Sequence, residues 1–454
     1  MTPPFPDIET ASASQLVKAL AARQVSALEL CDATIARIED RDRDINAVVV
    51  RDFDRAREQA RAADAALDRG ERRPLLGLPM TVKEAFNVAG LPTTWGFEFA
   101  RALPVTEDAV AVARLKAAGA VIVGKTNLAL ALGDYESNNP TYGRTLHPLD
   151  ATRTPGGSSG GSAAALAAGM VSLELGSDVG GSIRVPAHFC GVYGHKPSHG
   201  LLPTRGHDFP GYQAASDVLS VIGPMARSAA DLELALIVLA GPDADEATAY
   251  RLQLPPARRT TPQGLRVLAL TEHPSARTGA DMKRVVEDVA ARLAKAGAHV
   301  ADTSTLLPDL ADLQSDYAKL LVTLATRGAP HAAPSISAHE WLRLLDRRMQ
   351  WRKRFHLLFE SFDVVVAPPF GTAAFAHIDA PDWEHTTLTI DGEPSMYRDQ
   401  LAWSGLATVA GLPSTVAPAG KTAQGLPLGV QIIGPALQDR TTIAVARWLE
   451  ENAG

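Results

Sequence analysis

Residues 154–169 read TPGGSSGGSAAALAAG. Four glycines and three serines follow a proline and pass directly into an alanine run. Glycine gives the main chain freedom and close approach, so this loop exposes backbone to a partner, and the alanines continue it as a helix. A second turn of the same kind follows in VSLELGSDVGGSIRVPA (171–187), where an apolar strand-like run, VSLELG, leads to Gly180-Gly181-Ser182. The two loops admit several readings: a phosphate cradle, a linker, or the seat of a nucleophile.

Outward from these loops, helix and strand signals alternate. In SALELCDATIARIED (26–40), Leu28, Cys31, Ile35 and Ile38 share one face, and Ser26 with Glu29 makes a capping box, which predicts an outer helix packed on a core. PLLGLPMTV (74–82) is apolar without alternation, as in a strand buried on both faces, and delivers Lys83 at its end. AVAVARLKAAGA (109–120) predicts a helix and VIVGKT (121–126) a strand. LRVLAL (265–270) and FDVVVAPP (362–369) are further strands, and DMKRVVEDVAARLAKAGAHV (281–300) is a helix feeding one. Such alternation predicts an α/β sheet covered on both faces. Residues 241–264 turn polar and proline-rich, and strand signals resume at once. We therefore expect a single domain over 1–454, with a core at 74–240, a loop at 241–264 and a C-terminal part at 265–454.

Composition narrows the function. The 454 residues are 46% hydrophobic and 21% charged with a net charge of -7, which leaves no electrostatic footprint for nucleic acid or an anionic membrane. MTPPFPDIET has neither a basic leader nor an apolar core, and no apolar run reaches the roughly 18 residues of a bilayer span, so a cytoplasmic protein without membrane association is expected. Cys31 and Cys190 are too few for a disulfide framework and are expected as small buried residues.

Three local patterns point elsewhere and are set aside. GAVIVGKT (119–126) satisfies the P-loop spelling, but its middle residues prefer to be strand, which makes Lys125 a strand-end lysine. Gly156–Gly160 spells GxSxG, yet it follows a polar segment ending in proline where a nucleophile elbow must follow a strand. His195 and His199 stand four apart with Pro197 between them and no third ligand, so they are expected as surface or loop histidines, and no metal is expected.

A different combination carries chemistry. A serine hydroxyl needs a base to attack at neutral pH, and a lysine desolvated by apolar neighbours can lose its proton and serve as one. Lys83, Ser158 and Ser182 supply those groups, and the turn at Gly180-Gly181 supplies backbone N–H donors for a developing oxyanion.

These segments, in this order, resemble the amidase signature family. The resemblance runs from GLPMTVKEAFNVAG (77–90) through both glycine turns to GLPSTVAPAG and GLPLGVQIIGP near the C-terminus, with the two serines 24 residues apart. It implies a mixed sheet of about eleven strands flanked by helices. It also implies a Ser-cisSer-Lys triad in which Ser182 is the nucleophile, Ser158 a bridging serine beside a cis peptide, and Lys83 the base. Val179, Gly180, Gly181 and Ser182 would donate to the oxyanion, and Ser159, Ser177, Asp178 and Arg184 would orient the triad. No cofactor is implied. ALGDYESNNPTYGRTLHP (131–148) departs from the pattern of the glutamyl-tRNA amidotransferase subunit. Trp341, Trp351, Phe355, Phe359 and Phe370 are available either as core or as a hydrophobic pocket. The expectation is a monomeric or homodimeric amidase for a hydrophobic or aryl amide, with esters or carbamates (urethanes) as further substrates. The alternatives are a glutaminase subunit working with a tRNA-binding partner and a non-catalytic binding protein on the same scaffold.

Overall fold

A computed structural model describes residues 9–212, 215, 217–327, 335–379 and 381–452. Residues 1–8, which carry most of the leader expectation, lie outside these.

The first half of the chain gives β1 (Val48–Arg51), β2 (Pro79–Lys83), β3 (Val121–Thr126), β4 (Asn138–Asn139), β5 (Gly143–Arg144), β6 (Leu173–Asp178), β7 (Tyr193–Lys196) and β8 (Val221–Ala226). The second half gives β9 (Arg266–Ala269), β10 (His299–Ala301), β11 (Val364–Ala367), β12 (Thr387–Ile390), β13 (Glu393–Met396), β14 (Ser414–Lys421) and β15 (Pro427–Ile433). Eleven of them form one sheet in the order β1-β3-β2-β6-β8-β7-β14-β15-β11-β9-β10, and β4-β5 and β12-β13 are separate two-stranded ladders. The sheet is mixed: β2 runs parallel to β3 and β6, whereas β6, β8, β7, β14, β15 and β11 alternate in direction. The sheet has the eleven strands expected, and among the described residues twelve α-helices accompany it.

Helix Ala27–Arg41 carries the capping box read from the sequence: Ser26 Oγ accepts from Glu29 N at 3.1 Å, and Glu29 Oε2 accepts from Ser26 N at 2.9 Å. Its buried stripe is Leu30, Cys31, Ile35 and Ile38; Leu28 lies in the first turn at the stripe's edge and is only half-buried. Cys31 and Cys190 are both buried and unbridged.

The β6 strand begins and ends two residues later than VSLELG suggests. It runs on through Ser177 and Asp178, which pair with Ile222 and Val221 of β8. Ladder pairing thus continues into polar residues whose side chains find partners at the end of the sheet. Residues 241–264 hold only a short 3-10 turn, Glu246–Thr248, and the strands on either side of them, β8 and β9, belong to the same sheet.

Register decides where the chemistry sits. Thr81 faces Glu174 and Val82 faces Leu175 in the parallel β2-β6 pair, so Lys83 falls at the level of Gly176, within side-chain reach of Ser177 toward the C-terminal ends of two neighbouring strands.

Candidate active site

Lys83 closes β2, every residue of which is buried. Its Nζ donates to Ser158 Oγ at 2.7 Å and to Ser177 Oγ at 3.0 Å. Burial disfavours the ammonium and brings the Lys83 pKa down to about 7, against the opposing pull of Asp178 and Glu174. A lysine whose hydrogen-bond partners are hydroxyls, and whose pKa lies near physiological pH, has a neutral fraction that can take a proton from one of them.

Ser158 reaches it from the glycine loop, and the Gly157–Ser158 peptide bond is cis. A side chain at position 157 has no room, since a Cβ there would lie 2.3 Å from the Asp134 carbonyl oxygen. Among the described residues no strand leads directly into the loop, which agrees with setting the GxSxG reading aside. Helix Gly160–Ala167 begins immediately after Ser159, so its positive N-terminal end lies beside the serines. Ser159 ties the two glycine turns together: its N–H donates to the Ser182 carbonyl at 3.1 Å and its Oγ to the Ser177 carbonyl at 3.3 Å.

Asp178 and Arg184 frame the second turn. The carboxylate accepts from the N–H groups of Gly181 and Ile183, each at 3.0 Å, and from Arg184 Nε at 3.0 Å and Nη2 at 2.7 Å. Burial pushes the Asp178 carboxyl up, but the Arg184 charge and hydrogen bonds outweigh it and hold the pKa at about 2. Two tyrosines absent from the sequence reading act on the same turn. Tyr317 donates to the Val179 carbonyl at 2.8 Å and Tyr135 to the Gly180 carbonyl at 3.1 Å. In a trans peptide the N–H points opposite the C=O, so Tyr317 fixes the direction of the Gly180 N–H and Tyr135 that of the Gly181 N–H. The Gly181 N–H is directed onto Asp178. Ser182 itself is buried.

The remaining candidates fall as follows. Lys125, the penultimate residue of β3, is fully buried and donates to the Pro92 carbonyl and to Thr93 Oγ1, so it holds a loop. The surface or loop expectation for His195 is corrected: it lies in β7, buried between β8 and β14, with Nδ1 2.9 Å from Thr415 Oγ1 and Nε2 3.1 Å from Asp439 Oδ1. Its polar neighbour Lys196 and the following proline mask an interior strand. His199 is part-buried in the loop beyond, with Nε2 2.9 Å from the Asp217 carbonyl. Phe355 and Phe359 pack in one core cluster with Trp341 and Trp351 at its margin, and Phe370 lies in another. Among the described residues no group of three or more His, Cys, Asp or Glu side chains could hold a metal ion, and no helix is long and apolar enough to cross a membrane.

Residues 29–329 and 322–443 match the family model described as Amidase. The chain belongs to the amidase signature family. It is 35% identical to a glutamyl-tRNA(Gln) amidotransferase subunit from Roseiflexus castenholzii, covering 95% of this chain and 94% of that protein. It is 31% identical to human fatty-acid amide hydrolase 2, covering 98% and 89% respectively. The solved structure of a bacterial aryl acylamidase belonging to the amidase signature family superposes with a TM-score of 0.84 over 98% of this chain and 97% of that one, at 24% identity, and shares its fold.

Proposed function

We propose that this amidase signature protein cleaves a carboxylic amide C–N bond through an acyl-enzyme on Ser182. The observation that carries this is the fully buried Lys83 with its Nζ 2.7 Å from Ser158 Oγ. Neutral Lys83 accepts the Ser158 proton as Ser158 takes the proton of Ser182, whose oxygen attacks the carbonyl carbon. The C=O electron pair moves onto oxygen, where N–H groups of Val179, Gly180 and Ser182 receive it; Gly181, already bonded to Asp178, acts by shaping the turn. Collapse of the intermediate expels the nitrogen, which leaves with the proton returned through Ser158, and water then releases the acid by the reverse relay. Ser159, Ser177, Asp178 and Arg184 hold the two turns and the lysine in place.

We read the substrate as a small hydrophobic or aryl amide, with esters and carbamates as further substrates, and the chain as one cytoplasmic domain acting as a monomer or homodimer without cofactor or nucleic acid. The 35% identity to an amidotransferase subunit supports a second reading, glutamine hydrolysis within a larger assembly. Purified chain offered an anilide, an aliphatic amide, an ester, a carbamate and glutamine separates the two. Turnover of the first four classes without a partner supports the amidase, and turnover of glutamine alone overturns it. Loss of activity in Lys83→Ala ties either activity to this site.

A further inference from the structure

A set of aromatic rings leads from the surface to Phe86, a core residue three positions after Lys83. Phe86 follows the lysine by one turn, its N–H donating to the Lys83 carbonyl at 3.1 Å. The Phe86 ring centroid is 4.7 Å from that of His207, which in turn is 5.4 Å from Trp95. Trp95 meets Phe209 at 5.7 Å, Phe209 meets Phe97 at 5.4 Å, and Phe97 meets the exposed Phe99 at 5.6 Å. Phe86 is fully buried, whereas Trp95, Phe97, His207 and Phe209 all keep part of their surface in solvent. A packed core cluster such as Tyr135, Phe189, Phe370 and Tyr397 keeps almost none.

Two further features mark this wall as built for a ligand. His207 Nε2 is buried and has no hydrogen-bond partner, while the ring's hydrogen bond goes to the residue's own backbone. Burial, with the nearby Lys83 charge, holds the imidazole pKa at about 3, so the ring is neutral; with its proton on the backbone-bonded nitrogen, Nε2 presents a lone pair that only a donor can satisfy. Trp95, in addition, sits at φ 52, a left-handed conformation uncommon for a bulky side chain. Glu84, the residue after Lys83, enforces it by accepting from Thr94 N at 2.7 Å and Trp95 N at 3.1 Å. Strain of this kind persists where surrounding structure imposes it, and here it sets the indole beside His207.

Resting on the amide hydrolysis proposed above, we propose that Trp95, Phe97 and Phe209 bind an aryl group on the nitrogen side of the scissile bond, and that His207 Nε2 accepts a hydrogen bond from the N–H between that ring and the carbonyl. The order of contacts favours this polarity: Phe99, Phe97, Phe209 and Trp95 lie outermost, His207 comes next, and Phe86 and then Lys83 lie beyond. The favoured substrate class is then N-aryl amides and N-aryl carbamates, in preference to amides of aromatic acids.

The test is calorimetric binding to the intact Ser182→Ala chain, which cannot turn the ligand over. Acetanilide should bind more tightly than phenyl acetate, which has the same shape without the N–H, by roughly five- to tenfold for one hydrogen bond to a buried acceptor. His207→Phe in that background should close the gap, His207→Gln should keep part of it, and Trp95→Asn should weaken both ligands. Equal affinities in the Ser182→Ala parent, absence of acetanilide binding, or a gap that survives His207→Phe would each overturn the assignment. The parent measurement stands even if a His207 variant does not fold. Wild-type turnover is scored separately: binding with this preference but no amide cleavage keeps the pocket and removes the hydrolase, while cleavage of aliphatic amides without the preference removes the pocket alone.

Discussion

Asp178 and Arg184 form an ion pair in which neither side chain touches solvent, Nη2 to Oδ1 at 2.7 Å. Because the same carboxylate also receives the Gly181 and Ile183 amides, the pair fixes both sides of Ser182. Asp178→Asn leaves a buried guanidinium without its counter-charge, which typically costs about 3–5 kcal/mol. We expect a correspondingly lower urea midpoint and, in the fraction that folds, weaker labelling of Ser182. An Asp178→Asn protein with unchanged midpoint and labelling would show that the turn holds itself.

With Lys83 as the proposed base, activity is expected to rise with pH. With its pKa near 7, Lys83 is protonated below that value and cannot accept a proton, so kcat/KM for an amide should climb through about pH 7 and level off on the alkaline side. The same shift has a stability consequence. An unfolded lysine titrates near pH 10.4, so between about 7 and 10.4 the unfolded chain holds the extra proton, and stability gained from this group increases as pH rises across that window. Lys83→Met should abolish amide turnover at every pH and remove the stability dependence. A wild-type rate profile that is flat from about pH 6 to 9 counts against a titrating lysine.

The two serines should separate by chemical labelling. A fluorophosphonate adduct is expected on Ser182, with labelling and turnover lost together in Ser182→Ala. Ser158→Ala, which removes the proposed relay but not the proposed nucleophile, should label slowly at Ser182. Peptide mapping that finds the adduct on Ser158 in the wild type reverses the roles.

Gly181 tests the turn by volume. Its φ of 104 is unfavourable for any other residue, and a Cβ there would lie 2.3 Å from Ser404 Oγ. Gly181→Ala should therefore cut kcat by at least about a hundredfold, the scale of disturbing an oxyanion donor, while leaving far-UV circular dichroism unchanged. Near-normal kcat would mean that the turn adapts.

Amide hydrolysis should persist in excess EDTA, because the proposed base and nucleophile are both side chains. Loss of activity on chelation, with recovery on adding zinc, would require a different mechanism.

Strands were legible where burial made them uniformly apolar. PLLGLPMTV and VIVGKT predict β2 and β3 with their lysine ends, because a strand covered on both faces has no polar alternation to blur it. β7 was illegible for the opposite reason: its histidine and lysine find partners in Asp439 and the Leu412 carbonyl, more than two hundred residues away, which no local window contains. The same holds at the site. Lys83 ends a recognisable apolar strand and Ser158 and Ser182 stand in recognisable glycine turns, whereas Tyr135, Tyr317 and His207 act through tertiary position, and nothing in their flanking residues sets them apart from ordinary aromatic positions.

The Arg184 guanidinium extends past Asp178 to the Ser404 carbonyl at 2.9 Å, Thr408 Oγ1 at 2.9 Å and Gln431 Oε1 at 3.3 Å. During synthesis both glycine turns emerge more than two hundred residues before those three partners. A nascent chain that has completed the serines and the lysine still lacks the groups that seat Arg184, and through it Asp178 and the Ser182 turn. On the mechanism proposed above, an interrupted chain that lacks residues 404–431 is expected to carry both serines and the lysine without hydrolytic competence, and a truncation before Ser404 tests this.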